Sequence, residues 1–332
     1  MRVDMDIAEC AEPGSLPEAV RLVPTVDAGR LLTELAQVTD RVWDKQRIYD
    51  ASGVGAAADI DWRVLALRSP GGDVDRTDPG GPGPVDFAPT PALERMPYMR
   101  EILAGIPAPL NAVRLMALGP GASSIEHRDP KYSLQRGLVR LHIPVVTNPN
   151  ALLILDGVTH QWQPGEFWFG DFSRPHQVQN HGTTTRIHAV IDALVTPELI
   201  ALLPQPWRDQ LVASNVLVNR QSMPAIADLT PWLPYSIKVP RALTDFTHDT
   251  PLELTADVAC MRIETAAGLI RLIDGEGRSF ALVHLGENEF RFAGWSEQRT
   301  IQLRSDSAVL RVRHGGRMVH AQTVPVAGPA ME

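Results

Sequence analysis

The chain is poor in cysteine: its 332 residues include two, Cys10 and Cys260, far apart. That leaves no disulfide framework and no cysteine metal site. Long apolar runs are also missing, since no stretch approaches the ~20 residues needed to span a bilayer. Where a signal peptide would be apolar, the first residues carry Asp4, Asp6, Glu9 and Glu12. Basic charge is not in excess. Lys and Arg number 31 against 39 Asp and Glu, for a net charge of −8 with no basic run, which argues against nucleic acid as a partner. A Gly-x-Ser-x-Gly elbow is absent, so a serine hydrolase has no support. The expectation is a soluble cytoplasmic protein that binds neither membrane nor nucleic acid. No pattern sets its oligomeric state.

What is present is 44% apolar residues, enough for one large domain or two unequal ones. Residues 1–26 mix charge, Pro and Gly and read as an irregular leading segment. From Asp27 to about Trp43, Leu31, Leu32, Leu35, Val38 and Val42 recur at three- and four-residue steps. This predicts an amphipathic helix with Asp27 as its N-cap. Residues 61–67 alternate as a strand. Residues 69–91 crowd Gly, Pro and Asp into a long loop of the kind that forms lids or stays disordered. A short helix is expected over 98–103. Then come strands at 112–118, 138–146, 151–155, 166–169 and 186–194, punctuated at Asn148-Pro149-Asn150, Asp156-Gly157, Pro164-Gly165 and His181-Gly182. Short, turn-separated antiparallel strands predict a mainly β fold, a double-stranded β-helix of the jelly-roll or cupin type with flanking helices. One such helix starts at Thr196-Pro197 and another is expected from Pro206 to about Asn219. Residues 27–220 are read as this domain, 221–234 as a linker, and 235–332 as a small all-β C-terminal domain. In that last part His248, His284, His314 and His320 are scattered and form no cluster.

The chemistry is concentrated between His127 and Arg186. In His127-Arg128-Asp129 the first and third side chains point the same way on extended chain. His176 follows after enough intervening strands to return to the same barrel mouth, and Pro175 restricts the backbone before it. Two histidines and a carboxylate can hold ferrous iron on one face and leave the other open for a co-substrate and O2. Arg186, on the next apolar strand, suits the far carboxylate of a dicarboxylate such as 2-oxoglutarate. His188 shares that face and either touches the same anion or lines the barrel. Outside this stretch, Trp62 and Arg63 are the best candidates for a substrate carboxylate.

The runs Ile125-Glu126-His127-Arg128-Asp129, Val139-Arg140-Leu141-His142-Ile143-Pro144, Gly165-Glu166-Phe167-Trp168-Phe169, Pro175-His176 and Arg186-Ile187-His188-Ala189-Val190-Ile191-Asp192 carry a resemblance. Over roughly residues 95–200 the chain resembles the aspartyl/asparaginyl β-hydroxylase family, within it the bacterial branch of proline cis-hydroxylases. The resemblance does not reach the C-terminal domain. It implies iron at His127 and His176, and 2-oxoglutarate contacts from Arg186, Arg140 and His142. Animal peptide hydroxylases of the family lack the carboxylate ligand. Asp129 follows the bacterial amino-acid hydroxylases instead, and a carboxylate there argues against a halogenase.

The expected protein is thus an Fe(II)/2-oxoglutarate dioxygenase that hydroxylates a C–H bond of an amino acid, free or in a small, natural-product-type peptide. Succinate and CO2 are its other products. Two alternatives stand beside it. One is an Asp/Asn-type peptide or protein side-chain hydroxylase whose C-terminal domain docks the substrate. The other is a non-catalytic, cupin-like binder of a small molecule.

Overall fold

A computed structural model describes residues 16–48, 56–57, 59–224, 226, 235–246, 257–266 and 269–327. Alternation along four long strands decides the first layer. They are β5 (Trp62–Pro70), β7 (Leu110–Leu118), β8 (Leu138–Val146) and β13 (Arg186–Leu194). One face of these strands carries Leu65, Leu67, Val113, Leu115, Leu141, Ile143, Ala189 and Ile191. That face is covered by α1 (Ala28–Leu35) and α3 (Pro97–Ala104), through Leu31, Leu35, Met99 and Leu103. The short helices α2 (Pro91–Glu94), α4 (Pro197–Ile200) and α5 (Gln205–Arg208) add Leu93, Leu199 and Trp207 to the same core. The opposite face points inward and carries the polar residues of the site.

The sheet is completed by β1 (Ala19–Arg21), β2 (Asp44–Lys45) and β11 (Trp168–Gly170), in the order β1-β11-β8-β13-β7-β5-β2, with β6 (Phe87–Pro89) on β5. The strands β3 (Arg47–Ile48) and β4 (Ala56–Ala57) form a separate ribbon. A second sheet, β10-β9-β12, is built from β9 (Ala151–Leu155), β10 (Val158–His160) and β12 (His176–Asn180). Residues 123–127 run along β12 as an irregular further strand; Ser124 N donates to Val178 O at 2.9 Å. Leu118, Tyr132, Leu138, Leu153, Leu155, Trp162 and Phe172 fill the space between the two sheets. Two antiparallel sheets closed over a shared interior make the jelly roll.

Eight further strands follow: β14 (Ser236–Pro240), β15 (Val258–Ala266), β16 (Leu269–Asp274), β17 (Ser279–Gly286), β18 (Glu289–Phe292), β19 (Arg299–Leu303), β20 (Ser307–His314) and β21 (Arg317–Ala327). Each pairs with the next, and β21 closes on β14 to form a barrel. Met261, Ile263, Leu272, Leu282, Phe290, Phe292, Ile301 and Leu310 pack its interior. A barrel leaves no sheet edge unpaired, which suits a small domain of short strands.

Several expectations shift. Asp27 caps α1, its Oδ1 accepting from Arg30 N at 3.0 Å, but the helix ends at Leu35 and leaves Val42 exposed. The leading segment contains β1, which pairs with β11. Residues 206–219 hold only α5 and a single 3-10 turn, because Asn219 is drawn away by a bond from its N to Val195 O at 2.8 Å. The expected strand at 166–169 lies at 168–170, and β10 and β12 add to those read from the pattern. His248 lies outside the described residues. No helix among the described residues is long and apolar enough to cross a membrane.

Candidate metal centre

The two sheets bring His127, Asp129 and His176 together, with their ligand atoms all within 4.8 Å of one another. His127 Nδ1 donates to Ile125 O at 2.9 Å and His176 Nδ1 to Arg174 O at 3.0 Å. A carbonyl oxygen only accepts, so each Nδ1 carries a proton and each Nε2 is the nitrogen left to face a metal. Burial pulls the His176 imidazolium down to about 4, helped by His127 and Arg140 and opposed by Asp129. The ring is therefore neutral at physiological pH, as a metal ligand must be.

Asp129 is held by Arg140, whose Nη1 donates to Oδ2 at 2.5 Å. Burial opposes ionisation of Asp129. Arg140, His176 and His127 outweigh it and keep the carboxyl below its usual range. Arg140 also donates through Nε to Asp192 Oδ1 at 2.8 Å and through Nη2 to Asp192 Oδ2 at 3.3 Å. Its guanidinium stacks on the Tyr132 ring at 3.8 Å, and Tyr132 OH donates to Asp192 Oδ2 at 2.6 Å. The resemblance implies a co-substrate contact for Arg140. In the structure this side chain is committed to two carboxylates, one of them the candidate ligand Asp129.

Arg186 is different. It is 4% exposed, and its partner is His188, with Arg186 Nη2 3.0 Å from His188 Nδ1. No carboxylate pairs with it among the described residues, and burial alone pulls the guanidinium down to about 9. It still carries its charge at neutral pH. A buried, uncompensated cation costs several kcal/mol unless an anion joins it. Around it stand two imidazoles that burial keeps far below the ordinary histidine value, His142 and His188. His142 stacks on Phe172 at 4.8 Å and meets His188 edge-on at 5.8 Å. Both ring nitrogens of His142 and the Nε1 of Trp162 are buried without a hydrogen-bond partner. Buried polar atoms without partners, beside a cation without a countercharge, could receive a carboxylate.

Strand alternation separates Trp62 from Arg63. Trp62 faces inward with Val64, Met116 and Val190, and its buried Nε1 has no partner. Arg63 lies on the other face, where Nε donates to Asp61 Oδ1 at 2.7 Å and Nη1 to Trp43 O at 2.9 Å. Its donors are spent away from the ligand cluster.

Sequence reasoning passes over Arg114 and Asp192, and weighs Lys131 as a possible substrate contact that is more often solvated. Arg114 is 2% exposed, faces inward on β7 opposite Val190, and leaves Nε and Nη1 without partners. Its nearest carboxylate oxygen, Asp192 Oδ2, is 3.8 Å away. Lys131 is half-buried among Asp192, Arg140, Asp129 and Arg114; burial, partly offset by Asp192, brings its ammonium down to about 8. The available signal was parity: Arg114 and Asp192 share the inward register of Met116 and Arg186.

A family model described as aspartyl/asparaginyl beta-hydroxylase matches residues 27–195. Solved structures similar to part of the chain include an oxidoreductase of the 2OG-Fe(II) oxygenase family from Burkholderia pseudomallei. It is 12% identical, over 53% of this chain and 84% of that one, with a TM-score of 0.34. A prolyl hydroxylase from Trichoplax adhaerens, solved with a hypoxia inducible factor peptide fragment, is 13% identical over 57% and 88%, at 0.36. A cupin 2 conserved barrel domain protein from Salinispora arenicola is 16% identical over 46% and 83%, at 0.23.

Proposed function

Because the chain belongs to the aspartyl/asparaginyl β-hydroxylase family, we propose that it is an Fe(II)/2-oxoglutarate dioxygenase that hydroxylates a C–H bond of an amino acid, free or in a short peptide. The observation that carries the substrate class is a pair of buried arginines on the inward face of the sheet. Arg186 stands opposite Leu118, and Arg114 opposite Val190, four residues along β13. That separation is roughly 13 Å along the strand. Among the described residues each lacks a close carboxylate partner to match its charge, so the inward face offers two places where a carboxylate could be received. At the Arg114 end, the carboxylates beside Arg114, Lys131 and Arg140 among the described residues are Asp129 and Asp192. The local excess of positive charge invites one more anion.

The donor set fits ferrous iron: two imidazoles whose Nδ1 atoms are engaged by carbonyls, leaving Nε2 for the metal, and one ionised carboxylate. When bound, iron supplies the oxidative chemistry, with O2 and 2-oxoglutarate consumed and succinate and CO2 released. The chain's own residues position the reactants. His127, Asp129 and His176 would hold the metal, and Arg140 orients the Asp129 carboxylate. Arg186, with His188 behind it, receives the far carboxylate of 2-oxoglutarate. His142, Trp162 and Phe172 wall that side and exclude water. Arg114 receives the substrate carboxylate, and the floor of Trp62, Val64, Met116 and Val190 accommodates its carbon skeleton.

The test is a succinate-release screen over free amino acids and short peptides, with mass detection of one added oxygen atom. Arg114→Met should raise the KM of the accepted amino acid by on the order of a hundredfold and leave 2-oxoglutarate affinity unchanged. Turnover confined to peptides would move the reading to side-chain hydroxylation. An anaerobic titration in which iron and 2-oxoglutarate give no charge-transfer band would move it to a non-catalytic binder.

A further inference from the structure

The Gly- and Pro-rich loop between β5 and β6 is held from two sides. From inside, Lys131 Nζ donates to Gly80 O at 3.2 Å. Gly80 is buried so tightly that a Cβ there would meet Pro70 Cγ at 2.8 Å and Phe87 Cζ at 2.9 Å. From outside, Ala281 N of β17 donates to Gly83 O at 2.7 Å. Between these points Gly81 lies against Gly294, just after β18. A Cβ at position 294 would stand 2.7 Å from Gly81 O and 2.9 Å from its carbonyl carbon. Gly294 also has φ 79°, so the position calls for glycine on two grounds.

The barrel grips the neighbouring turn as well. Gly315 N donates to Gln135 O at 2.8 Å, and Ser296 Oγ donates to Arg136 O. Glu297 N donates to Asn219 Oδ1 at 2.8 Å, and Asn219 Nδ2 donates to Gly137 O at 2.7 Å. The C-terminal barrel therefore fastens both segments that meet at Lys131: the loop above it and the turn that follows it. Lys131 in turn lies among Asp129, Arg140, Asp192 and Arg114.

We propose that the C-terminal barrel is a clamp that sets residues 78–84 as a fixed roof over Arg114 and Lys131, restricting the substrate to a free amino acid. Gly294, Gly81 and Lys131 are its specificity-determining positions. The choice of substrate rests on the function proposed above; the clamp itself rests on the contacts alone. A chain continuing past the substrate carboxylate would have to displace Gly80 and Gly81. Their backbone cannot rotate aside as a side chain can, because Gly294, Pro70 and Phe87 already fill the space behind it.

Gly294→Ala in the full chain drives a methyl group into the Gly81 carbonyl. Gly275→Ala is the control, since a Cβ there meets nothing within 4 Å. Three readouts are expected to move in Gly294→Ala and not in Gly275→Ala. The amides of Gly80, Gly81, Gly83, Val85 and Asp86 exchange hydrogen at least roughly tenfold faster. The KM of the accepted free amino acid rises roughly ten- to a hundredfold. A dipeptide that extends that amino acid at its carboxyl end, inert with the unaltered protein, becomes a substrate. The anaerobic absorption band with Fe(II) and 2-oxoglutarate stays as it was. Lys131→Met releases the roof from the inside without touching the barrel. It should speed exchange over the same residues, which keeps the clamp testable if Gly294→Ala does not fold. Unchanged exchange at those amides would overturn the clamp. Faster exchange with an unaltered ratio of free amino acid to dipeptide turnover would overturn the selectivity. If no free amino acid supports succinate release in the unaltered protein, the substrate assignment fails while the exchange data still decide the clamp.

Discussion

His127 and His176 are a directly opposed cross-strand pair: His127 N donates to His176 O at 3.0 Å and His176 N donates to His127 O at 2.8 Å. Their ring centroids are 4.3 Å apart. Two candidate ligands distant in sequence are thus set by one backbone ladder, and each imidazole is then aimed by a carbonyl two residues earlier.

The ladder does not depend on the side chains, so losing a ring should cost metal before it costs fold. His127→Ala and His176→Ala are expected to abolish turnover and iron retention, with the β-rich circular dichroism spectrum preserved. Iron content per chain and coupled succinate release check this. Full activity in either variant would sink the ligand assignment.

Arg140 joins the ligand Asp129 to the buried Asp192. Removing an orienting partner of a ligand typically costs 10–100-fold in metal affinity. Arg140→Met should weaken iron binding by about that factor. It should also lower stability by roughly 3–5 kcal/mol, because Asp192 loses its main countercharge. If the residue acts instead on the co-substrate, the 2-oxoglutarate requirement will move while iron affinity stays put.

Arg186 predicts an unusual combination. It is a buried cation whose partner is the neutral His188. Arg186→Met removes an uncompensated charge, so the apo protein should melt no lower than the unaltered one. The 2-oxoglutarate concentration for half-maximal rate should nevertheless rise by about a hundredfold or more. Calorimetry and succinate kinetics on the same samples separate the two effects, and a lowered melting point with an unchanged co-substrate requirement would make the residue purely structural.

Glu289 ties the barrel together beneath its contact with the jelly roll. Burial works against its charge. The Thr300 hydroxyl, Arg220 and Arg313 overcome that and hold the carboxyl at about 2, against an ordinary 4.5. A carboxyl held low in the folded state contributes stability that is fully present above the unfolded value and lost as pH falls toward the folded one. The contribution, on the order of 3 kcal/mol, should disappear between about pH 4.5 and 2. Urea midpoints across that window should fall steeply in the unaltered protein and more gently in Glu289→Gln; parallel slopes would exclude Glu289 as the source.

Much of the fold was legible because burial on one face imposes a period of two. That alternation marked β5, β7, β8 and β13, and with them the inward direction of Arg140, His142, Arg186 and His188. The spacing of His127 and Asp129 marked the candidate metal centre for the same reason. The β12 strand was harder to see, since His176-Gln177-Val178-Gln179-Asn180 has little apolar content. It is a strand because β9 and residues 123–127 flank it.

By itself, then, the sequence determined which residues can turn inward and which of them can bind a metal, because side-chain parity is a local property of an extended chain. Only the tertiary structure decided their partners. Arg140 binds Asp129 and Asp192, whereas Arg186 meets no carboxylate, though both are arginines on inward-facing strand positions. The C-terminal barrel likewise reads in sequence as a separate small domain, yet Gly294 and Ala281 contact the loop above Lys131. Such contacts depend on which backbone lies beside which, and no periodicity along a single chain encodes that.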